Sequence, residues 1–331
     1  MIPFVAIDEA KIAPFHPFGV CVAIAFFAWD HVLMKMAVRR GYDRADFRVL
    51  TLWLGVLGWA FAWGIDAVFY HPGEPLASRL SLQGLSSTGG IVGATVGAIV
   101  WSRVWIRKEK DGDRERWRIS ARETSLPLLP ISEVIIATWP LAHAIGRVGC
   151  ALIHDHVGKA AAPGSLGSLF AVGFPRSAED GIHRIIGPIH VISGGSEVRY
   201  DLGLLEVLVL APLAIGFALS WKKNVAMGTY TIVGTLVYGP LRFVLDFLRA
   251  EEGVTADARQ GGLTFAQYWS LAVIALGVVL LVKQRRARTK GSDGVDASAS
   301  ADVAPPASAD VASRTSAAPS APSAASARAA D

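Results

Sequence analysis

Residues 143–158 read HAIGRVGCALIHDHVG. They continue the apolar run LPISEVIIATWPLAHAI, which is long enough to lie within a membrane, and they pass directly into Arg147, Cys150 and the triplet His154-Asp155-His156. A transmembrane helix needs about 20 mostly apolar residues. An arginine inside one costs about 2.5–3.5 kcal/mol on insertion scales, so it normally faces a partner or a polar cavity. The sequence therefore predicts a membrane helix that ends near Arg147 for a functional reason.

The rest of the chain fits that reading. Of 331 residues, 52% are hydrophobic and 18% charged, against about 25% charged in soluble domains. The net charge of +4 comes from basic residues clustered in short segments between apolar runs. This is a membrane topology pattern, not a nucleic-acid footprint. Apolar runs at roughly 17–38, 49–70, 88–106, 127–147, 204–221, 227–249 and 265–283 predict seven spans. RRGYDRADFR, RKEKDGDRERWRISARE, KKN and KQRRARTK fall on one side if the helices alternate. Lys and Arg mark the cytoplasmic side. The expectation is an all-α integral membrane protein with seven transmembrane helices, its N-terminus outside and its C-terminus cytoplasmic.

Three parts are expected: a periplasmic N-terminal segment 1–15, a membrane domain 16–285, and a tail 286–331. The tail's Ala/Ser/Pro composition lacks the apolar groups needed to offset chain entropy. The first residues lack the basic n-region, apolar h-region and cleavage site of a removable signal peptide. Two cysteines, Cys21 and Cys150, make no disulfide framework.

Spacing adds detail. Gly89, Gly93 and Gly97 form one smooth helix face for close packing, while Gly89 and Gly90 open a helix whose N–H groups suit an anion. Tyr238, Arg242 and Asp246 follow at i, i+4 and i+8 and share a face. Under the expected topology, Thr88, Arg147, Arg242 and the stretch 199–206 lie at similar depth near the outer leaflet. Two arginines there suit the forked, charge-assisted binding of a phospholipid phosphate. The alternative is an internal Arg242–Asp246 pair that only holds helices together. His154 and His156 suggest metal ligands, with Asp155, His183 or His190 as further donors. A His-x-His pair alone does not make a metal site, so no metal and no cofactor is expected. Cys150 reads as a small buried residue unless a base lies nearby.

Taken together, these stretches resemble the bacterial prolipoprotein diacylglyceryl transferase family. GRVGCALIHDHVG is similar to its G-R-x-G-N-F-x-N-x-E-x-x-G signature, YGPLRFVLDFLR to Y-G-x-x-R-F-x-x-E-x-x-R, GLSSTGGIVG to G-x-x-F-H-G-G-x-x-G, and RYDLGLLE to R-H-P-S-Q-L-Y-E. They occur in the family's order across about residues 16–284. The resemblance implies transfer of a diacylglyceryl group from phosphatidylglycerol to the cysteine thiol of a prolipoprotein. The implied partners are that lipid, the prolipoprotein signal peptide and membrane lipids, in the bacterial inner membrane.

The resemblance also implies roles for single residues. Arg147 and Arg242 hold the donor phosphate, Tyr238 positions the headgroup, Asp155 and Asp246 orient the arginines, Gly149 and Gly158 keep the backbone tight, and Arg199 and Glu206 complete the fourth motif. Several positions depart from the family. Its histidine before the paired glycines is Thr88, two asparagines are Cys150 and Ile153, both motif glutamates are aspartates, and a His and a Tyr are Tyr200 and Leu205. With the usual base missing, His154 or His156 is the expected replacement. Two other readings stay open: the same fold acting on another acceptor, and a lipid-binding protein without the chemistry.

Overall fold

The computed structural model describes residues 1–70, 74–79, 84–111, 114–162, 164–223, 225–251 and 257–292. Among the described residues, six helices are long and apolar enough to cross a membrane. They are α1 (Pro17–Arg39), α2 (Arg44–Ile65, continued by a π-helical turn Asp66–Tyr70), α4 (Leu128–Ile153), α5 (Leu202–Ser220), α6 (Thr229–Leu245, with a 3-10 turn Asp246–Leu248) and α7 (Phe265–Ser292). The seventh expected span is the shorter α3 (Ser87–Trp101). Its 15 residues rise about 22 Å, less than the ~30 Å hydrocarbon core. Residues 104–106, expected to close that span, belong instead to a β-hairpin, β2 (Val104–Asp111) with β3 (Arg114–Ala121). The tail expected to be disordered lies outside the described residues beyond Ser292.

The all-α expectation is corrected in the long connection between α4 and α5. That connection forms a six-stranded sheet together with β1 (Ile2–Ile7). Its strands are β4 (Val157–Ala160), β5 (Val172–Phe174), β6 (Ile182–Ile186), β7 (Ile189–Ser193) and β8 (Glu197–Asp201), in the order β4-β8-β5-β1-β7-β6. β1 runs parallel to β5 and antiparallel to β7. The strands are only three to six residues long, far shorter than the window of about 20 residues on which a membrane helix registers, so hydropathy does not distinguish them from loop. Only pairing satisfies their backbone groups. The first residues thus belong to the same sheet as the α4–α5 connection.

Two further boundaries moved. α2 starts at Arg44 rather than 49 because Asp43 caps it, accepting from the Asp46 N–H at 2.8 Å. α4 does not stop at Arg147 but runs to Ile153, where His154 turns left-handed at φ 51° and ends it.

Helix ends meet in two groups. At one end, Arg39 donates to the Lys222 carbonyl at 3.2 Å, Trp101 and Arg122 both bond Asp46, Glu133 accepts from Thr231, and Gln284 bonds the Met227 carbonyl. A core of Leu33, Met36, Phe47, Leu50, Leu54, Trp101 and Val134 fills the space nearby. At the other end lie the sheet, the start of α3, and the polar groups of α4, α5 and α6. α2 and α3 pack closely enough that a Cβ on Gly93 would collide with the Leu57 carbonyl oxygen, and one on Gly97 would meet the Trp53 oxygen at 2.7 Å. The glycine face read from spacing is a packing face.

Candidate active site

The site is centred on one carboxylate. Glu206, in the first turns of α5, is fully buried. Its Oε2 accepts from Arg147 Nε at 2.9 Å and lies 3.1 Å from His143 Nε2. Its Oε1 accepts from Arg242 at 3.1 Å. Both arginines are 3% exposed. A charge removed from water this completely needs a partner and satisfied hydrogen bonds, and α5 brings that partner between α4 and α6. This is why α4 continues through Arg147: the guanidinium is paired inside the bundle and the helix has no need to end.

The rest of Arg147 faces polar groups. It donates to Ser87 Oγ at 3.3 Å, approaches Cys150 Sγ at 3.6 Å, and lies 3.3 Å from His156 Nε2. Arg242 also pairs with Asp246 at 3.2 Å, one helical turn on. Its buried Nε has no hydrogen-bond acceptor among the described residues. Asp246 accepts from Thr264 and from Arg249 at 3.4 Å, and Arg249 is itself paired with Asp257 at 2.9 Å. The Tyr238 hydroxyl is 3.2 Å from His143 Nε2, and Trp139 stacks on that imidazole with centroids 4.8 Å apart.

The two expected histidines do different things. The His154 ring is engaged at both nitrogens: Nδ1 lies 2.7 Å from Asp201 Oδ2 and Nε2 3.0 Å from the Val5 carbonyl. It also stacks on Phe4 at 4.2 Å. His154 therefore ties the end of α4 to β1 and to Asp201, which itself caps α5. His156 Nδ1 lies 2.5 Å from Asp155. Its Nε2 faces an arginine, which can only donate, so Nε2 is an acceptor and the ring is neutral with its proton toward Asp155. Burial lowers the His156 pKa, and the charges of Arg147 and Arg249 act in the same direction against the carboxylate's pull. For Asp155, burial works upward but is outweighed by the His156 contact and Arg147, leaving its carboxyl below the usual range. Adjacent residues in an extended loop would point apart. The turn after α4 lets Asp155 orient His156.

Cys150, Asp155 and His156 offer a sulfur, an oxygen and a nitrogen within 4.8 Å of one another. The Arg147 guanidinium stands against both the sulfur and the imidazole, so the positive position is already taken by a side chain. His183 and His190 lie in β6 and β7.

The remaining motif residues surround this cluster or support it. Thr88 is buried at the start of α3. The Gly89 and Gly90 N–H groups donate to the Ser86 hydroxyl and carbonyl at 3.1 and 3.0 Å, so an anion there would have to displace Ser86. Gly149 is where α4 meets α1: a Cβ would approach that of Cys21 at 2.9 Å. Gly158 passes the Leu248 carbonyl, which a Cβ would meet at 2.5 Å. Arg199 does not join the arginine pair; it donates to the Gly158 carbonyl at 2.9 Å and to Glu197, joining β4 to β8. Sequence reasoning missed His143, Ser87, Arg249 and Asp201. His143 had a usable signal, since it lies at i−4 from Arg147 on one helix face.

Comparison with known proteins gives the family. The family model described as prolipoprotein diacylglyceryl transferase matches residues 5–283. A phosphatidylglycerol–prolipoprotein diacylglyceryl transferase of Helicobacter pylori is 23% identical over 297 residues, covering 83% of this chain and 89% of the relative. The protein of that name from Xanthomonas euvesicatoria pv. vesicatoria is 26% identical over 293 residues, covering 82% and 88%.

Proposed function

This chain belongs to the prolipoprotein diacylglyceryl transferase family, and from that premise we propose that it moves a diacylglyceryl group from phosphatidylglycerol to the lipobox cysteine of a prolipoprotein. The chain is a multi-pass membrane protein, and on this reading it lies in the bacterial inner membrane with its N-terminus outside, seven spans, a membrane domain over 16–285 and a cytoplasmic tail. The observation that carries the reading is the buried arginine pair on Glu206, with Arg242 Nε left without an acceptor among the described residues. Two guanidiniums and one spare donor suit a phosphate that arrives as substrate.

In this reaction the acceptor sulfur attacks the glyceryl carbon that bears the phosphate. The C–O bond breaks and glycerol phosphate leaves with the electron pair. Arg147 and Arg242 stabilise charge that grows on the leaving oxygen, a preorganised electrostatic effect. Glu206 holds both arginines in place, and Tyr238 with His143 sets the wall beside the headgroup. A thiol attacks as thiolate. His156, neutral and oriented by Asp155, is the proton acceptor on this reading, because His154 is committed to Asp201 and Val5. An imidazole operating near neutral pH suits that task.

Thr88 favours a second reading. A buried threonine stands where the family carries histidine, which supports the same fold acting on another acceptor or holding lipid without transfer. Complementation of a strain depleted of its own transferase separates the two. Mass spectrometry of a test lipoprotein should show the added diacylglyceryl mass. An unmodified lipoprotein at normal expression would sink the transferase reading.

A further inference from the structure

The β2–β3 hairpin takes no part in the site, yet its two faces are unlike. Ile106 pairs with Ile119 and Lys108 with Trp117 in the antiparallel ladder, so these positions share one face. Trp117 is 66% and Ile119 70% exposed. The other face carries Arg118, bonded to Glu109 at 2.9 Å, and Arg116. Residues 103–122 contain eight Lys/Arg and four Asp/Glu.

The base of the hairpin is held at the ends of apolar helices. Arg122 is buried, bonds the Trp101 carbonyl at 3.1 Å and Asp46 at 3.0 Å, and lies 3.6 Å from the centre of the Trp105 ring. The strands therefore leave the bundle where helices α2 and α3 leave the hydrocarbon. Strand residues rise about 3.3 Å each, so an upright hairpin would carry Trp117 about 17 Å from Arg122, beyond the headgroup layer. Lying over on the face that carries them, it sets Trp117 and Ile119 at the level where Trp is enriched, while the net positive charge of residues 103–122 draws the whole hairpin toward an anionic surface within a Debye length.

We infer that the 104–121 hairpin is an interfacial anchor that lies on an anionic phospholipid surface, with Trp117 and Ile119 in the headgroup layer. The inference does not depend on transfer activity. It requires only that the helices span a bilayer.

Full-length protein in a Cys21→Ser/Cys150→Ala background, with Trp117→Cys or Ile119→Cys carrying an environment-sensitive dye, is reconstituted into vesicles. One set is phosphatidylcholine alone and the other contains phosphatidylglycerol as well. Nitroxide lipids report depth. In the anionic vesicles both positions should be shielded from water and quenched by nitroxides near the headgroups. Arg116→Gln/Arg118→Gln, on the face turned away from the lipid, should weaken that state a few-fold through the loss of net charge. Dyes in water at both positions would mean an upright hairpin and overturn the inference. Equal shielding in the two lipids, unchanged by the arginine variants, would remove the anionic surface as the partner. Shielding that follows protein density would assign the face to a second copy of the chain.

Discussion

Arg147 donates through Nε to Glu206 Oε2 across 2.9 Å, with both side chains buried. The same carboxylate binds Arg242, so one acid on α5 sets the separation of two arginines from different helices. Removing it leaves two buried positive charges without this partner. Breaking a buried pair costs about 3–5 kcal/mol. Glu206→Leu should therefore lower the unfolding midpoint of the detergent-solubilised protein clearly more than Glu206→Gln, which keeps an acceptor. Equal midpoints for the two variants and the parent protein would contradict the shared-carboxylate arrangement.

The arginines themselves should be less critical for folding than for chemistry. Arg147→Ala and Arg242→Ala are each expected to reduce lipid transfer by at least about a hundredfold, since each 1.36 kcal/mol is tenfold in rate. Lysine should not restore either, because it lacks the planar fork. Transfer to a fluorescent signal-peptide substrate measures this. If Arg242→Ala keeps its activity while Asp246→Ala misfolds, the Arg242–Asp246 pair is structural.

The histidines should separate by assay. His156→Ala is expected to lose about tenfold or more in transfer rate, within the range of general-base catalysis, with little change in stability. His154→Ala should lose stability by freeing β1 and the end of α4. For His156 the folded pKa lies below the ordinary value of about 6.5. Between the two, the unfolded chain holds a proton that the folded one refuses, so stability falls as pH drops through that window. Its acid limb of activity should also lie below 6.5. The Asp155 contribution has the usual carboxylate sign: present above about 3.9, lost as pH falls through its lowered folded value. A pH–rate profile and pH-dependent melts of His156→Gln test both points. An unchanged profile rules out His156 as the base.

Two neighbouring glycines should respond oppositely. Gly93→Ala drives a methyl into the Leu57 carbonyl and should destabilise by about 1–3 kcal/mol or more. Gly90→Ala meets its nearest atom at 3.9 Å and should be neutral or stabilising, since alanine is favoured over glycine in a helix by about 1 kcal/mol. Thermal melts of both variants decide it.

The direction of the chain in the membrane can be read by labelling. In a background without Cys21 and Cys150, Ala178→Cys should react with an impermeant maleimide in intact cells and Glu115→Cys should not. The opposite result would invert the topology and move the arginine pair to the inner side.

The membrane class, the order of the apolar helices and the identity of the buried arginines were legible in the chain itself. Hydropathy over 20 residues and an arginine inside such a run are local properties with large energies, and no distant contact reverses them. Spacing also found the Tyr238–Arg242–Asp246 face and the glycine face of α3, because a helix repeats on a known period. The sheet was not legible. Its strands of three to six residues are too short to register on a window of about 20 residues, and β1 meets β5 and β7 from more than 150 residues away. The site's centre depended on folding in the same way. Glu206 looks like a minor member of its stretch until α5 places it between Arg147 and Arg242. His154 and His156, two residues apart, are given different work by one left-handed turn that sends the first ring to Asp201 and Val5 and the second to Arg147. Which partner a buried charge finds is a property of packing, and only the tertiary structure contains it.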